Sequence, residues 1–468
     1  MPFPTINALT RFGEELEILH FAQYPDNDLS QPADFNVFVL LDKLQELVIT
    51  SPLTSPVPYG YLIYQDLHGE FINMLGSLNI YFTVEINRYE DGAGSMSKSP
   101  ALSPTDKIFH RFYVTKVDIL SNELDRNLLR IEFRSLNELL LNQNIPNGYS
   151  TFTEKPYTKN LQEILQALVN AADPQTVAIQ NLKIQWPEGY SSNTNLSYAS
   201  TANGSIMDGI DYCLDWGFSG KDGLTFITAD LTTGNLIFWS QFFSQYKVLQ
   251  QQTTTPLALS DSASETVRHT GAVATKNKSA QMERILCTNI VLKSFKGSNL
   301  IFEGLSPLTE QIFDFEKGVW TTTTTDVENL TMFTSKQEQQ NDTFVPKLKP
   351  WTPKGLTTAN LNYSATYTLA NGEPRLREKF LPIFLENNVL EVTLPGHLTR
   401  QAGDLFILIA DSSAETLKTV NAITGPWTVL QVTHHFRPNE FTDKLILGRN
   451  EKITDSSVVS LSSNSLKS

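Results

Sequence analysis

Histidine is the side chain best suited to metal ligation and proton transfer near neutral pH, and only His434-His435 places two together. Adjacent residues on a strand point to opposite faces, so this pair does not converge on one metal. The surrounding alternation sets His434 with Leu430 and Val432 on the inward face, as a hydrogen-bonded core or interface histidine. The other histidines show no H-x-x-H or H-E-x-x-H spacing. Ser219 lies between glycines in WGFSGKDG, but the frame is G-x-S-G and a helix pattern precedes it, so the strand–turn–helix nucleophile elbow is not formed. Carboxylates abound, at Glu14-Glu15, Glu17 and Glu70 among others. Asp208, Asp211 and Asp215 share neighbouring turns of one expected helix and read as a solvated acidic face, because a glycosidase-type pair needs a cleft. No phosphate-cradling G-x-x-x-x-G-K-[ST] or G-x-G-x-x-G occurs, and Gly92-Ala93-Gly94 has no helix pattern after it. Catalytic, cofactor-binding and metal-ligating residues are therefore assigned to none, and the chain is expected to be no enzyme and to need no cofactor.

The elements around these residues are mostly strands. Residues 389–450 carry four strand patterns, VLEVTLPG, DLFILIA, WTVLQVTHHF and NEFTDKLILGRN, separated by turn signals at Pro395-Gly396 and Ala402-Gly403-Asp404. Leu390, Val392 and Leu394 share one face and Glu391 and Thr393 the other, the two-residue period of a half-buried strand. Trp427 and Phe436 fit either a core or anchors at a subunit interface. Nearer the start, Leu78, Ile80, Phe82, Val84 and Ile86 alternate in the same way, and IFHRFYVTKVDIL and NLLRIEFRSL add two strands. A helix-like stretch is expected over residues 40–48, and the Gly/Ser/Pro-rich residues 91–106 read as a surface loop.

A change of period marks the middle. Leu161, Ile164, Leu165, Leu168 and Val169 follow the spacing of an amphipathic helix, with Thr158 as N-cap and Asp173-Pro174 as stop. Ile206, Ile210, Cys213 and Leu214 line a second helix, and GLTFITAD and NLIFWSQF form a hairpin across Leu-Thr-Thr-Gly. The expected fold class is α+β, mainly β: two tube-like antiparallel β-barrels with an α/β domain between them and a helical insertion in the second barrel. The expected boundaries are 1–150 for the first barrel domain with loop insertions, 151–250 for the α/β domain, 251–325 and 386–452 for the second barrel, 326–385 for an irregular or helical insertion, and 453–468 for a flexible tail.

Composition narrows the function classes. The chain of 468 residues has 36 Lys+Arg against 50 Asp+Glu, a formal charge of −14, which disfavours nonspecific adhesion to nucleic acid or anionic lipid. Charged residues are only 18%, below the usual share of about 25%. A neutral polar surface of that kind suits subunits packed against one another. Cys213 and Cys287 form no C-x-x-C pair and read as reduced, buried small hydrophobes of a protein made in the cytoplasm. No basic-then-apolar leader and no run of about 18 apolar residues is present, so neither secretion nor a membrane span is expected.

An internal repeat is discernible. FYVTKVDIL…NEL and LLRIEF, residues 112–133, parallel WTVLQVTHHF…NEF and LILGRN, residues 427–450. Strand–turn–strand is a common grammar, and the alternative is that two related barrels occur in one chain.

Taken in order, the elements resemble the central baseplate hub protein of contractile-tailed, T-even-type bacteriophages, related to the hub module of type VI secretion spike proteins. The likeness covers most of the chain by element order. It is most specific at the end, where an x-x-G-D-L turn, a V-x-x-V-x-H strand carrying Val429, Val432 and His434, and a final strand follow one another. The resemblance implies a homotrimer whose six barrels form a pseudo-sixfold ring in the tail baseplate of a virion. It also implies the tail tube protein, the central spike protein, the tape measure protein and baseplate wedge proteins as partners, with DNA only in transit and no stable membrane insertion. Residues 91–106, 321–350 and the Ser-rich tail depart from the pattern. The alternative reading is a β-rich tail protein that binds a receptor or glycan, and a third is a β-rich glycoside hydrolase using Asp208 or Asp211.

Overall fold

A computed structural model describes residues 14–23, 35–38, 43–67, 69, 80–88, 106–123, 126–145, 160–171, 182–191, 204–216, 225–240, 267–272, 284–287, 289–295, 308–314, 319–325, 363–365, 388–396, 398, 400–408, 425–437 and 440–449. The architecture is mainly β, with one large antiparallel sheet of fourteen strands and few helices.

That sheet consists of two halves built alike. The first half contains β1 (Glu14–Gln23), β2 (Phe35–Phe38), β3 (Leu44–Pro52), β4 (Tyr59–Asp66), β5 (Ile80–Arg88), β6 (Asp106–Glu123) and β7 (Arg126–Ser135). They pair in the order β3-β4-β7-β6-β5-β1-β2. The second half uses β11 (Val267–Ala272), β12 (Arg284–Cys287), β13 (Asn289–Phe295), β17 (Asn388–Pro395), β18 (Leu405–Leu408), β19 (Gly425–Arg437) and β20 (Glu440–Arg449). Their order is β13-β17-β20-β19-β18-β11-β12. Numbering each half's strands along the chain gives the same pairing list twice, every pair antiparallel. In the second half only residue 288 separates β12 from β13, so the two ends of that pairing order are neighbours along the chain.

The likeness extends to irregularities. The β6–β7 register slips between Val114 and Lys116, just after Phe112; the β19–β20 register slips between Val429 and Gln431, just after Trp427. Val114 faces Phe133 and Val429 faces Leu447, each the eighth residue of its return strand. A bulge at one repeat position in two hairpins is a specific backbone feature, and strand–turn–strand grammar does not require it. The Asn-Glu matches of the sequence repeat are not equivalent, however. Glu123 ends β6 before the turn, whereas Glu440 opens β20 after it.

The cores follow from the alternation. Phe112, Ile131, Phe133, Leu62 and Tyr64 are buried in the first half, and Trp427, Leu445, Leu447, Val392 and Leu394 occupy the corresponding positions in the second. Volume is exchanged at one pair of places. Gly60, where a Cβ would fall 1.9 Å from the Val48 carbonyl oxygen and 2.9 Å from the Phe133 ring, corresponds to Leu390, and Phe133 corresponds to the smaller Leu447. Close packing requires such compensation, since neither voids nor overlaps are tolerated.

Between the halves lie α1 (Leu136–Leu141), α2 (Leu161–Asn170), α3 (Ile206–Trp216), and a small sheet of β8 (Ile184–Gln185), β9 (Thr225–Ala229) and β10 (Leu236–Ser240), ordered β8-β10-β9. Leu161, Ile164, Leu165, Leu168 and Val169 are buried, as their spacing predicts, against Ile206, Ile210, Cys213, Leu214 and Phe238. Asn160, not Thr158, caps α2: its Oδ1 accepts from the Glu163 amide at 2.9 Å, and Thr158 lies outside the described residues.

Three expectations require correction. The helix-like stretch over residues 40–48 is, in its described part, strand β3; pairing with β4 on one edge and β19 on the other overrides its helical spacing. The Thr-rich stretch 321–350, low in apolar pattern and expected to be irregular, begins as strand: β15 (Val319–Thr325) pairs with β14 (Leu308–Asp314), and β-branched threonines favour that extended state. These two strands join β16 (Tyr363–Ala365) in a separate three-stranded sheet, so 308–325 do not enter the large sheet. The described part of the expected helical insertion 326–385 is β16 alone, a strand because it pairs parallel to β14. The loop over 91–105, the stop at Asp173-Pro174 and the tail 453–468 lie outside the described residues. Among the described residues, no helix is long and apolar enough to cross a membrane.

Candidate assembly surface

The two halves meet where β19 divides one of its edges. Residues 425–428 pair with β18, and beyond the bulge Gln431–Phe436 pair with β3, from Pro52 to Leu47. Strand β20 covers the other edge of β19. Thus β3, a strand of the first half, completes the edge of β19, and the large sheet runs unbroken from one half into the other. The bulge moves Leu430 out of phase; the inward face reads Trp427, Val429, Val432, His434 and Phe436, and Leu430 is only partly buried.

The seam is stitched by side chains as well as backbone. His435 Nε2 lies 2.6 Å from Glu46 Oε1, to which Arg437 Nε donates at 2.9 Å. Thr50 and Thr433 share a hydroxyl contact of 3.2 Å. Burial pushes the Glu46 carboxyl up, but the Arg437 hydrogen bond and the His435 charge outweigh it and hold Glu46 below the usual carboxylate value. Phe436 and Phe441, from the end of the β19–β20 hairpin, stack at 4.2 Å between centroids and belong to the core of the first half. Trp427 and Phe436 are both core residues here.

His434, on the same strand, faces inward. Its Nδ1 lies 2.8 Å from Asp443 Oδ1, and the other oxygen of Asp443 accepts from Arg400. All three side chains are buried, and His434 Nε2 has no hydrogen-bond partner among the described residues. Burial works against ionisation of Asp443, yet the His434 and Arg400 charges keep it below its ordinary value. His434 and His435 thus point to opposite sides and each meets one carboxylate, so the two rings do not converge on one point. Among the described residues, no group of three or more His, Cys, Asp or Glu is placed to hold a metal ion.

A second junction is made by the β9–β10 hairpin, which wedges against both halves. Trp239 Nε1 donates to the Gly403 carbonyl at 2.9 Å, and Thr228 Oγ1 to the Pro52 carbonyl at 3.0 Å. The buried Asp230 at the hairpin turn accepts from Thr232, Thr233, Gln185 and, at 2.7 Å, Gln401 of the second half. Leu231 enters the core of the first half. Nearby, burial lowers the His110 imidazole to about 4, so it stays neutral, hydrogen-bonded at 2.6 Å to Ser135, whose Oγ also caps α1.

Asp208 and Ser205 form a reciprocal cap at the start of α3: the Ser205 amide donates to Asp208 at 2.8 Å and the Asp208 amide to Ser205 Oγ at 3.1 Å. Asp211 is exposed on the same helix. Burial pushes the Cys213 thiol up to about 12. Ser219, Glu70 and Gly92-Ala93-Gly94 lie outside the described residues, while Glu14, Glu15 and Glu17 belong to β1.

No family model and no curated protein matches the chain. Among solved structures it is similar to a tail protein from Neisseria meningitidis, at 9% identity and TM-score 0.47, over 94% of this chain and 98% of that one. It is likewise similar to the 43 kDa tail protein of prophage MuSo2 from Shewanella oneidensis, at 8% identity and TM-score 0.45, over 93% and 98%. A third is the lidded Francisella PdpA-VgrG complex, at 12% identity and TM-score 0.44, over 95% of this chain and 54% of that one.

Proposed function

We propose that the protein is a structural component of a phage tail baseplate: a trimeric hub that adapts a sixfold tail tube to a threefold central spike. The observation that carries this reading is the twofold repetition of one seven-strand pairing scheme in a single sheet. Each half curls into a tube-like barrel, and three chains contribute six such units around one axis. A ring of six similar units matches a hexameric tube on one side, while the three inserted α/β domains supply the lower symmetry on the other. The tube protein, the spike protein, the tape measure protein and wedge proteins are the partners of such a part. A formal charge of −14 suits a channel through which DNA passes without adhering. The role needs neither a catalytic step nor a cofactor, and it places the protein in the virion.

Mass photometry with negative-stain imaging of the purified full chain tests the reading. A threefold particle with a central hole is expected. A compact monomer that binds sugars overturns it in favour of a receptor-binding tail protein.

A further inference from the structure

We propose that β13 of one copy pairs antiparallel with the open edge of β6 in a second copy, continuing between chains the sheet that β3 and β19 continue within one. The inference rests on the ring reading above and specifies its joint. By the strand correspondence of the two halves, β6 is the counterpart of β19, and β13 the counterpart of β3. Strand β19 gives the first part of its edge to β18 and the part beyond the bulge to β3. Strand β6 gives residues 106–113 of the corresponding edge to β5. Beyond its own bulge, from Lys116 on, no described strand occupies that edge, although β7 pairs the opposite one. Strand β13 is in the complementary situation: β17 lies on one side, and no described strand on the other. An open, extended edge is a template for a further strand.

Burial marks the same place. His434 is fully buried beside β3, while its counterpart Ile119 is 52% exposed and the neighbouring Leu120 50% exposed. One repeat position is covered in one half and bare in the other, and in the covered half a strand lies alongside. Among the described elements, only β13 shares the pairing environment of β3, so the occupant is a second copy. Because the contact joins unlike surfaces, it is head-to-tail and generates a ring when the rotation closes.

Past the β13 bulge between Leu292 and Ser294, the register carries over from the seam. Thr433 faces Thr50 and His434 faces Ile49. Asp118 stands at the position of Thr433, and Ser294 at that of Thr50, each judged by its partner on the adjoining strand. Asp118 of one copy is therefore opposite Ser294 of the next, within the roughly 4.5–5.5 Å Cβ separation of directly opposed residues.

The test uses two full-length single variants, Asp118→Cys and Ser294→Cys, mixed and oxidised beside the oxidised parent chain. A covalent dimer is expected on a non-reducing gel of the mixture, absent from either variant alone and from the parent. Ile119→Lys, at a half-exposed position, should raise the oligomer's dissociation constant by about ten-fold or more with its circular dichroism unchanged. Oligomers without the mixed-variant dimer overturn this strand pairing and leave the ring reading standing. Dimers in a single variant show like faces meeting and also overturn it. A monomer at all concentrations removes both.

Discussion

His434 Nδ1 and Asp443 Oδ1 sit 2.8 Å apart on facing strands, both side chains fully enclosed, and the second Asp443 oxygen accepts from Arg400. Asp443 is the centre of this group, since both basic side chains meet it. Asp443→Ala leaves Arg400 without its anion and is expected to destabilise the fold by about 3–5 kcal/mol. Thermal unfolding followed by circular dichroism measures the loss, and an unchanged midpoint contradicts the assignment.

Gly403 has φ +95, and a Cβ there would lie 2.5 Å from Trp239 Cδ1. Gly403→Ala therefore combines backbone strain with a clash at the contact between the β9–β10 hairpin and the second half. Limited proteolysis should cut the intervening α/β segment faster in the variant, and the tryptophan emission should shift to longer wavelength.

Acid should loosen the structure in two stages. His110, held neutral at about 4 against an ordinary 6.5, favours folding in full above pH 6.5; as pH falls towards 4 the unfolded chain binds a proton that the folded chain refuses. The loss reaches about 3 kcal/mol at pH 4, since each tenfold difference in proton affinity between the two states is worth roughly 1.36 kcal/mol. His110→Gln should flatten that limb of the midpoint-against-pH curve. Glu46, held below its ordinary 4.5, contributes seam stability above that value, which disappears as pH falls through its lowered folded value.

Removing the Asp208 carboxylate offers a direct check on the glycosidase reading. Asp208→Ala deletes one arm of the reciprocal cap on α3 and should cost about 1 kcal/mol of stability. No cell-wall cleavage should be present in the parent chain for the variant to lose. Cleavage that disappears in the variant contradicts a purely structural role.

Much of this was legible in the residues. Apolar spacing placed both long helices and the hairpin that follows them, and the aromatic-x-Val repeat pointed to paired strands at residues 112 and 427. Periodicity records only the two faces of an element, so it did not reveal edges. The seam depends on β3 finding partners on both sides, and its Leu44, Leu47 and Val48 spacing fits a helix equally well. The bulge at Leu430 was missed because one inserted residue shifts the phase of a strand without altering its composition. Asp443 did leave a signal, lying in phase with Phe441, Leu445 and Leu447; a carboxylate on an apolar face calls for a buried cation, which Arg400 supplies.

Because β3 closes on β19 inside one polypeptide, that joint forms by loop closure at a local concentration far above any achieved by free subunits. Half of the joints in a six-unit collar would thus be complete before two molecules collide, and dilution acts on the remaining half alone. In such a collar, fusion of the halves would turn a six-body encounter problem into a three-body one.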